Sequence, residues 1–200
     1  IGHGLGAAPK CVIIKRTDTT SNWIFANAAF GFNKFLYLNA TDTAQTNSGT
    51  FNNTAPSSSV ITLGTWNDVN NSSGTYVAYA FAEKTGFSKF GKYTGNGNDD
   101  GTFVYTGFRP AFVLLKNTTT DGEWWVINDS GRNPNNIVDK DLFSNNSNVE
   151  AVHSRQDFVS NGFKFKSTAN NSNKSGNIYV YMAFAEAPLV GTNNIPCTAR

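Results

Sequence analysis

The sequence predicts an all-β protein, an antiparallel β-sandwich of the jelly-roll or concanavalin-like type in which two tandem homologous repeats pack together. Three observations predict this architecture. Four sequence blocks recur in the same order roughly a hundred residues apart, which indicates an internal repeat. Short apolar or alternating segments are separated by turns rich in Asn, Gly and Ser, the pattern of a sandwich or barrel. No segment keeps an amphipathic period of 3.6 residues over three turns, so long helices are not expected.

The first block of each repeat is an apolar run that leads to a tryptophan. Pro9–Lys15 precedes Trp23, and Pro110–Lys116 precedes Trp124, so that each lysine stands eight residues before its tryptophan. Short apolar runs of this kind are expected to form strands that are buried on both faces. Because Cys11 lies within the first run, we expect its thiol to be a core group and not a ligand.

The last block of each repeat has a period of two. Tyr76–Phe81 and Tyr179–Phe184 alternate large and small side chains, which is typical of strands. Two further strand candidates, 87–95 and 102–105, flank a turn that contains Asn-Gly and Asp-Gly. Since these dipeptides favour hairpin turns, we predict that the two strands pair with each other.

The repeats define three segments of the chain. The first repeat is expected at 1–86, the second at 87–190 and a C-terminal tail at 191–200. The Gly-rich start of the chain stands where the first repeat should carry the hairpin that opens the second. We therefore expect the hairpin of the first repeat to be truncated and more protein to precede Ile1.

Charge and composition exclude several classes of partner. The formal net charge is +2, and charged residues make up 15% of the chain, so the clustered basic face of a nucleic-acid-binding protein is not expected. The chain has no apolar run long enough for a spanning helix, so membrane insertion is not expected. Cys11 and Cys197 are the two cysteines, too few for a disulfide framework.

Several motifs relate the repeat to a known group of proteins. They include Tyr93–Gly97, Gly107–Lys116, Asp157–Phe163 and the closing Gly74–Glu83. The repeat resembles a module of tail fibre, tail and other structural proteins of tailed bacteriophages. Such modules often stand beside SPRY-like or concanavalin-like sandwich domains, and the end of this chain looks like the C-terminus of those polypeptides.

The resemblance implies a virion component on the surface of the extracellular particle. The function expected from it is that of the C-terminal part of a tail fibre or spike that contacts a host-surface glycan or receptor. The expected partners are other virion proteins and copies of the chain itself, in a homo-oligomer for which fibres suggest a trimer. The alternatives are a capsid decoration or head-fibre protein with a purely structural role, and a polysaccharide depolymerase.

The sequence does not predict an enzyme. His3 and His153 are the two histidines. They do not stand at a metal-ligand spacing, and His153 is expected in a polar loop. The G-x-S-x-G nucleophile motif is absent. Acidic residues number 14, and Glu83 and Glu186 occupy equivalent repeat positions, which argues against the paired carboxylates of a glycosidase.

Tryptophans are the candidate ligand-binding residues, because sugar rings pack on flat apolar faces. Trp66 is followed by Asn67 and Asp68 in a polar loop. Trp124 and Trp125 are neighbours on a predicted strand, so one ring faces inward and the other outward.

A weaker candidate is a calcium loop formed by Asn96, Asn98, Asp99 and Asp100, since oxygen ligands at alternating positions suit Ca²⁺. The competing interpretation is a turn, which the Asn-Gly and Asp-Gly dipeptides favour. Ca²⁺ is the single cofactor that the sequence suggests.

Overall fold

The described strands form three antiparallel sheets and a short two-stranded ribbon. The structure is a computed structural model that describes residues 1–186, 189–190 and 196–197. The predicted tail lies outside the described residues except for 196–197, and the side chain of Cys197 is also outside them. The elements are β1 Cys11–Arg16, β2 Trp23–Asn27, β3 Lys34–Tyr37, β4 Gln45–Thr46, α1 Ser48–Phe51, α2 Asn67–Asn70, β5 Tyr76–Phe81, β6 Ser88–Thr94, β7 Phe103–Tyr105, β8 Pro110–Asn117, β9 Trp125–Asp129, β10 Val138–Asp141, β11 Ala151–Val159, β12 Gly162–Phe165, β13 Ile178–Ala185, β14 Leu189–Val190 and β15 Pro196–Cys197.

The three sheets differ in where their strands come from along the chain. The first sheet has the order β4-β3-β2-β1-β5, the central sheet β6-β13-β8-β9 and the outer sheet β10-β11-β12-β7. All of the pairings are antiparallel. The predicted all-β antiparallel architecture is therefore confirmed.

The central sheet is buried on both faces. Alternate residues of β8 and β13 point to opposite sides, as the period of two requires. Leu114 and Val180 pack against the first sheet, whereas Leu115 and Tyr181 pack against the outer sheet. The central sheet is thus the middle layer of a stack, which explains why the run in β8 is apolar on both faces.

The second face of the first sheet is covered by the segment that carries α1 and α2. Phe51, Ile61 and Val69 from this cover pack against strand residues that include Ile14 and Ile24. Gly64, which precedes α2, lies close to Gly49 of α1. A Cβ on Gly64 would clash with the backbone oxygen of Gly49, so only glycine fits there.

Two sheets share the same three-strand order. The order β2-β1-β5 in the first sheet corresponds to β9-β8-β13 in the central sheet. Lys15 pairs with Trp23, but Lys116 pairs with Trp125, one residue later than the equal sequence spacing suggested. The structural equivalent of Trp23 is therefore Trp125 and not Trp124, because the turn of the second hairpin is one residue longer.

The predicted hairpin of 87–95 with 102–105 is wrong. Strand β6 pairs with β13 in the central sheet, and β7 pairs with β12 in the outer sheet. Tyr93 and Val104 meet in the same core cluster from opposite layers. Within the turn that crosses between the layers, Gly101 donates its backbone N–H to Phe165 O of the outer sheet, 3.1 Å away.

Candidate functional site

The neighbouring tryptophans at the start of β9 face opposite sides. Trp125 has no exposed surface and packs between the first and central sheets. Its ring lies edge-on to Phe25 with 4.8 Å between centroids, and its Nε1 donates to Tyr37 O at 2.9 Å. Trp125 therefore joins two layers of the framework. Trp124 is partly buried on the other side, where it packs against the core between the central and outer sheets.

Trp66 lies half-buried at the start of α2. Its ring centroid is 5.0 Å from that of Phe35. The residues that follow Trp66 already form hydrogen bonds within the protein. The Asp68 carboxylate accepts from the Ser21 hydroxyl at 3.0 Å, and the Asn67 carbonyl accepts from Tyr76 Oη at 2.6 Å. These contacts make Trp66 a packing residue of the cover with one partly exposed edge.

The predicted calcium residues form the crossing turn between β6 and β7. Asn96 Oδ1 accepts from the Asn98 backbone N–H at 3.0 Å, and Asn98 Oδ1 accepts from the Asp100 N–H at 2.9 Å. The Asp100 carboxylate lies 2.8 Å from Lys164 Nζ, which lowers the pKa of Asp100. Asp99 is exposed. Because protein donors already bind these oxygens, the contacts favour the turn interpretation.

One buried side-chain amide forms hydrogen bonds to the same turn. Asn173 is fully buried, and its Nδ2 donates to Asn96 Oδ1, Asn98 O and Ser167 O at 2.8–3.0 Å. In the part of the chain that the structure describes, no group of three or more His, Cys, Asp or Glu side chains gathers as metal ligands do.

A shallow cleft of about 310 Å³ lies beside Trp124. We call it the Trp124 cleft. It is lined by three segments that are far apart in sequence: Gly122, Glu123 and Trp124 before β9, His153 on β11, and Ala169, Asn170 and Asn171 after β12. Several polar side chains therefore converge on one aromatic ring, the usual composition of a ligand pocket.

Aromatic packing holds the ring of Trp124 in place. Its centroid lies 4.9 Å from that of Phe143 in an edge-on arrangement. The His153 ring stands 6.3 Å away, also edge-on. Such pairs stabilise a fixed ring orientation by about 0.5–1.5 kcal/mol beyond the area that they bury. The indole therefore presents a fixed apolar wall to the cleft.

A buried hydrogen-bond chain supports the opposite wall. Asn171 is 8% exposed, and its Oδ1 accepts from the Ser154 hydroxyl at 3.1 Å. The backbone N–H of Ser154 donates to Asp141 Oδ2 at 2.9 Å. Asn128 Nδ2 donates to Asp141 Oδ1 at 2.7 Å. Burial of this carboxyl raises the pKa of Asp141, and the two hydrogen bonds partly compensate for the cost of burying it.

Lys116 connects one wall of the cleft to other segments of the chain through hydrogen bonds. Its side chain is fully buried, and Nζ donates to the backbone oxygens of Glu123, Thr41 and Asn117 at 2.8, 2.9 and 3.0 Å. Burial lowers the pKa of Lys116 to about 8, although nearby carboxylates oppose the shift. Lys15 makes the analogous bond to Ser21 O in the first hairpin, at 2.8 Å.

A family model described as a domain of unknown function, DUF7483, matches residues 1–188. The chain belongs to the DUF7483 family. Neither curated proteins nor solved structures provide a match to it. One DUF7483 model thus spans the first, central and outer sheets together.

The described helices of this DUF7483 chain are all too short or too polar to cross a membrane.

Sequence reasoning identified Trp124 but missed the other walls of the cleft. His153 lies on a strand, β11, and not in the polar loop that was predicted. Asn170 and Asn171 gave one local signal, the run of amide and hydroxyl residues at 170–173. That run shows no spacing that connects it to a tryptophan 46 or 47 residues earlier.

Proposed function

We propose that this DUF7483 chain is a non-enzymatic structural module of a tailed-phage virion. It forms the C-terminal part of a tail fibre or spike and contacts a host-surface glycan or receptor. The observation that carries the proposal is the Trp124 cleft, in which a fixed indole faces the amides of Asn170 and Asn171. Aromatic faces pack against the C–H faces of sugar rings, and amides bond their hydroxyl groups.

The framework suits a contact surface that must stay rigid outside a cell. Three stacked sheets hold the cleft-forming segments from several sides. The backbone oxygen of Asn170 accepts from Asn117 Nδ2 at 2.9 Å and from Tyr179 Oη at 2.7 Å. Loops that are fixed in this way on a scaffold are common positions for binding residues.

We also propose that two tandem homologous repeats generated the chain, with a concanavalin-like or jelly-roll topology. The shared strand order β2-β1-β5 and β9-β8-β13 supports the repeat. So does the lysine that bonds a turn carbonyl in each hairpin, Lys15 to Ser21 and Lys116 to Glu123. The proposed boundary near residue 86 falls between β5 of the first sheet and β6 of the central sheet. The second repeat is proposed to end near residue 190.

A binding role fits the carboxylates of the cleft better than hydrolysis does. Glycoside hydrolases generally need two carboxyl groups on either side of the bond that they cleave. Among the described residues that line the cleft, Glu123 is the one carboxylate. Asp141, which supports one wall of the cleft, is fully buried behind Ser154.

A homo-oligomer, with a trimer as the working model, completes the proposal. Apolar side chains are exposed on and beside the outer sheet: Tyr105 is 63% exposed, Val152 61% and Val149 84%. Light scattering after gel filtration should give a mass of about three chains, and a monomer at high concentration would refute the trimer.

The test is fluorescence labelling of candidate host cells by the purified chain, before and after enzymatic removal of surface glycans. The proposal expects labelling that falls at least tenfold when the glycans are removed. Labelling of purified phage heads without any labelling of permissive cells would instead identify a capsid decoration protein. Release of reducing sugar from host polysaccharide would identify a depolymerase.

A further inference from the structure

One wall of the Trp124 cleft offers a hydrogen-bond donor that has no acceptor among the described residues. Asn171 is more than nine-tenths buried, and Ser154 Oγ donates to its Oδ1, which directs Nδ2 away from the serine. Nδ2 makes no hydrogen bond to the described residues, and the side chain lines the cleft. Because this donor lies at the lining of the cleft, a ligand that brings an acceptor there meets an available N–H group.

The rim of the same cleft carries negative charge. Glu123 lines it directly. Asp121 is exposed at the tip of the hairpin that bears Glu123. An anionic ligand entering past these carboxylates meets like charges, which weaken binding.

The nearby cation does not offset this charge for a ligand. Lys116 is fully buried, and its three N–H donors point to three backbone oxygens. An ammonium has three donors in total, so none is left for a ligand carboxylate or phosphate. Glu123 is therefore the acidic side chain that the lining of the cleft presents to a ligand.

We infer that the Trp124 cleft selects uncharged glycans that carry a carbonyl acceptor, such as N-acylated sugars, and discriminates against acidic glycans. This inference rests on the proposed function and names its ligand class. The sugar ring packs against Trp124, its acyl oxygen accepts from Asn171 Nδ2, and its hydroxyl groups reach Glu123 and Asn170. A uronic acid in the same position places a carboxylate beside Glu123.

The experiment compares dissociation constants for matched oligosaccharides on a glycan array and by calorimetry. The probes are chitin hexasaccharide, which is N-acylated and uncharged, cellulose hexasaccharide, which lacks the acyl group, and hyaluronan hexasaccharide, which alternates N-acylated sugar with uronic acid. We expect the chitin probe to bind at least fivefold tighter than the cellulose probe. We expect the hyaluronan probe to bind at least tenfold more weakly than the chitin probe.

Two variants connect these ratios to named residues. Asn171→Asp keeps the acceptor for Ser154 but replaces the free donor by an oxygen, so the advantage of the N-acylated probe should disappear. Glu123→Gln removes the carboxylate that lines the cleft and leaves Asp121 on the hairpin tip, so the tenfold discrimination against the acidic probe should fall to about twofold. Tyr79→Ala, an exposed aromatic on β5 (48% exposed), is the matched control and should keep both ratios. Thermal melts confirm that each variant is folded.

The outcomes separate this inference from the proposed function. Equal or tighter binding of the acidic probe, or ratios unchanged in Asn171→Asp and Glu123→Gln, would overturn the selectivity and leave the host contact intact. Labelled host cells with no glycan bound anywhere on the array would also overturn it, in favour of a protein receptor. Failure of both cell labelling and glycan binding would remove the inference and the proposed function together.

Discussion

Replacing Lys116 by methionine tests the most unusual polar group of the fold. Methionine has a similar length and no donor, so Lys116→Met removes the bonds to Thr41 O, Asn117 O and Glu123 O while it fills most of the same space. At pH 7 we expect a loss of about 3 kcal/mol in the free energy of unfolding, about 1 kcal/mol for each carbonyl that loses its donor.

The pH dependence gives a sharper prediction than the loss itself. The pKa of Lys116 falls from 10.5 to about 8 on folding. Between these values the unfolded chain holds a proton that the folded chain has released, so the free energy of unfolding rises with pH. From pH 7 to pH 9.5 this contribution is about 2 kcal/mol, at 1.36 kcal/mol per pH unit once the titration is under way. The Lys116→Met variant lacks it.

Urea denaturation of the wild type and of Lys116→Met at half-unit steps from pH 7 to pH 9.5 measures the difference. The upper limit avoids the range in which the raised pKa values of Tyr93, Tyr179 and Tyr181 make the folded state lose stability with pH. We expect the gap between the two proteins to widen by about 2 kcal/mol. A constant gap, or a variant more stable than the wild type at pH 7, would refute the reasoning.

Three further predictions concern packing and access. Trp125→Ala should lower the free energy of unfolding by about 3–5 kcal/mol in urea denaturation, because the ring is fully buried and bonded to Tyr37 O; a loss under 1 kcal/mol would contradict the contact between sheets. Gly64→Ala should lower the free energy of unfolding by about 1–3 kcal/mol, since the new methyl group meets Gly49 O. Amide exchange in this variant should accelerate first in α1 and α2. Cys11 should resist iodoacetamide in the native protein and react on unfolding, because burial raises the pKa of its thiol; peptide mass mapping checks this, and rapid native labelling would contradict it.

The strand positions followed from local patterns that sequence can carry. Strand β5 has the bounds that its large–small alternation predicted, and β13 exceeds the predicted segment by one residue at each end. The apolar run in β8 was expected to be buried on both faces, and the central layer explains it. Burial on both faces indicates two neighbours but does not identify them, so the stacking of three sheets had no signature in the sequence.

The failed hairpin shows the limit of turn signals. Asn-Gly and Asp-Gly dipeptides indicate that the chain reverses, but not whether the flanking strands pair edge to edge or face each other. The decision depends on Asn173, a residue about 75 positions later whose amide binds the turn. The lysine spacing misled for a similar reason, since a turn one residue longer moved the equivalent of Trp23 from Trp124 to Trp125.

The candidate site was predictable only in its aromatic part. Neighbouring residues of an extended segment point to opposite sides, and the two tryptophans do so. Neither ring simply faces outward, because Trp125 lies in the core between the first and central sheets and Trp124, just before β9, packs partly buried against the core between the central and outer sheets. The other walls come from β11 and from the segment after β12, whose approach depends on the tertiary fold. Asn171 in particular gains its free donor through Ser154 and Asp141, contacts that no local pattern encodes.

The most direct test of the account is the affinity of three proteins for permissive host cells. The wild type, Trp124→Ala and Tyr79→Ala are labelled equally and titrated onto the same cells, with thermal melts to confirm that each protein is folded. The account predicts that Trp124→Ala binds at least tenfold more weakly and that Tyr79→Ala binds like the wild type. Equal binding by all three proteins, with glycan-dependent labelling intact, would contradict the assignment of host contact to the Trp124 cleft.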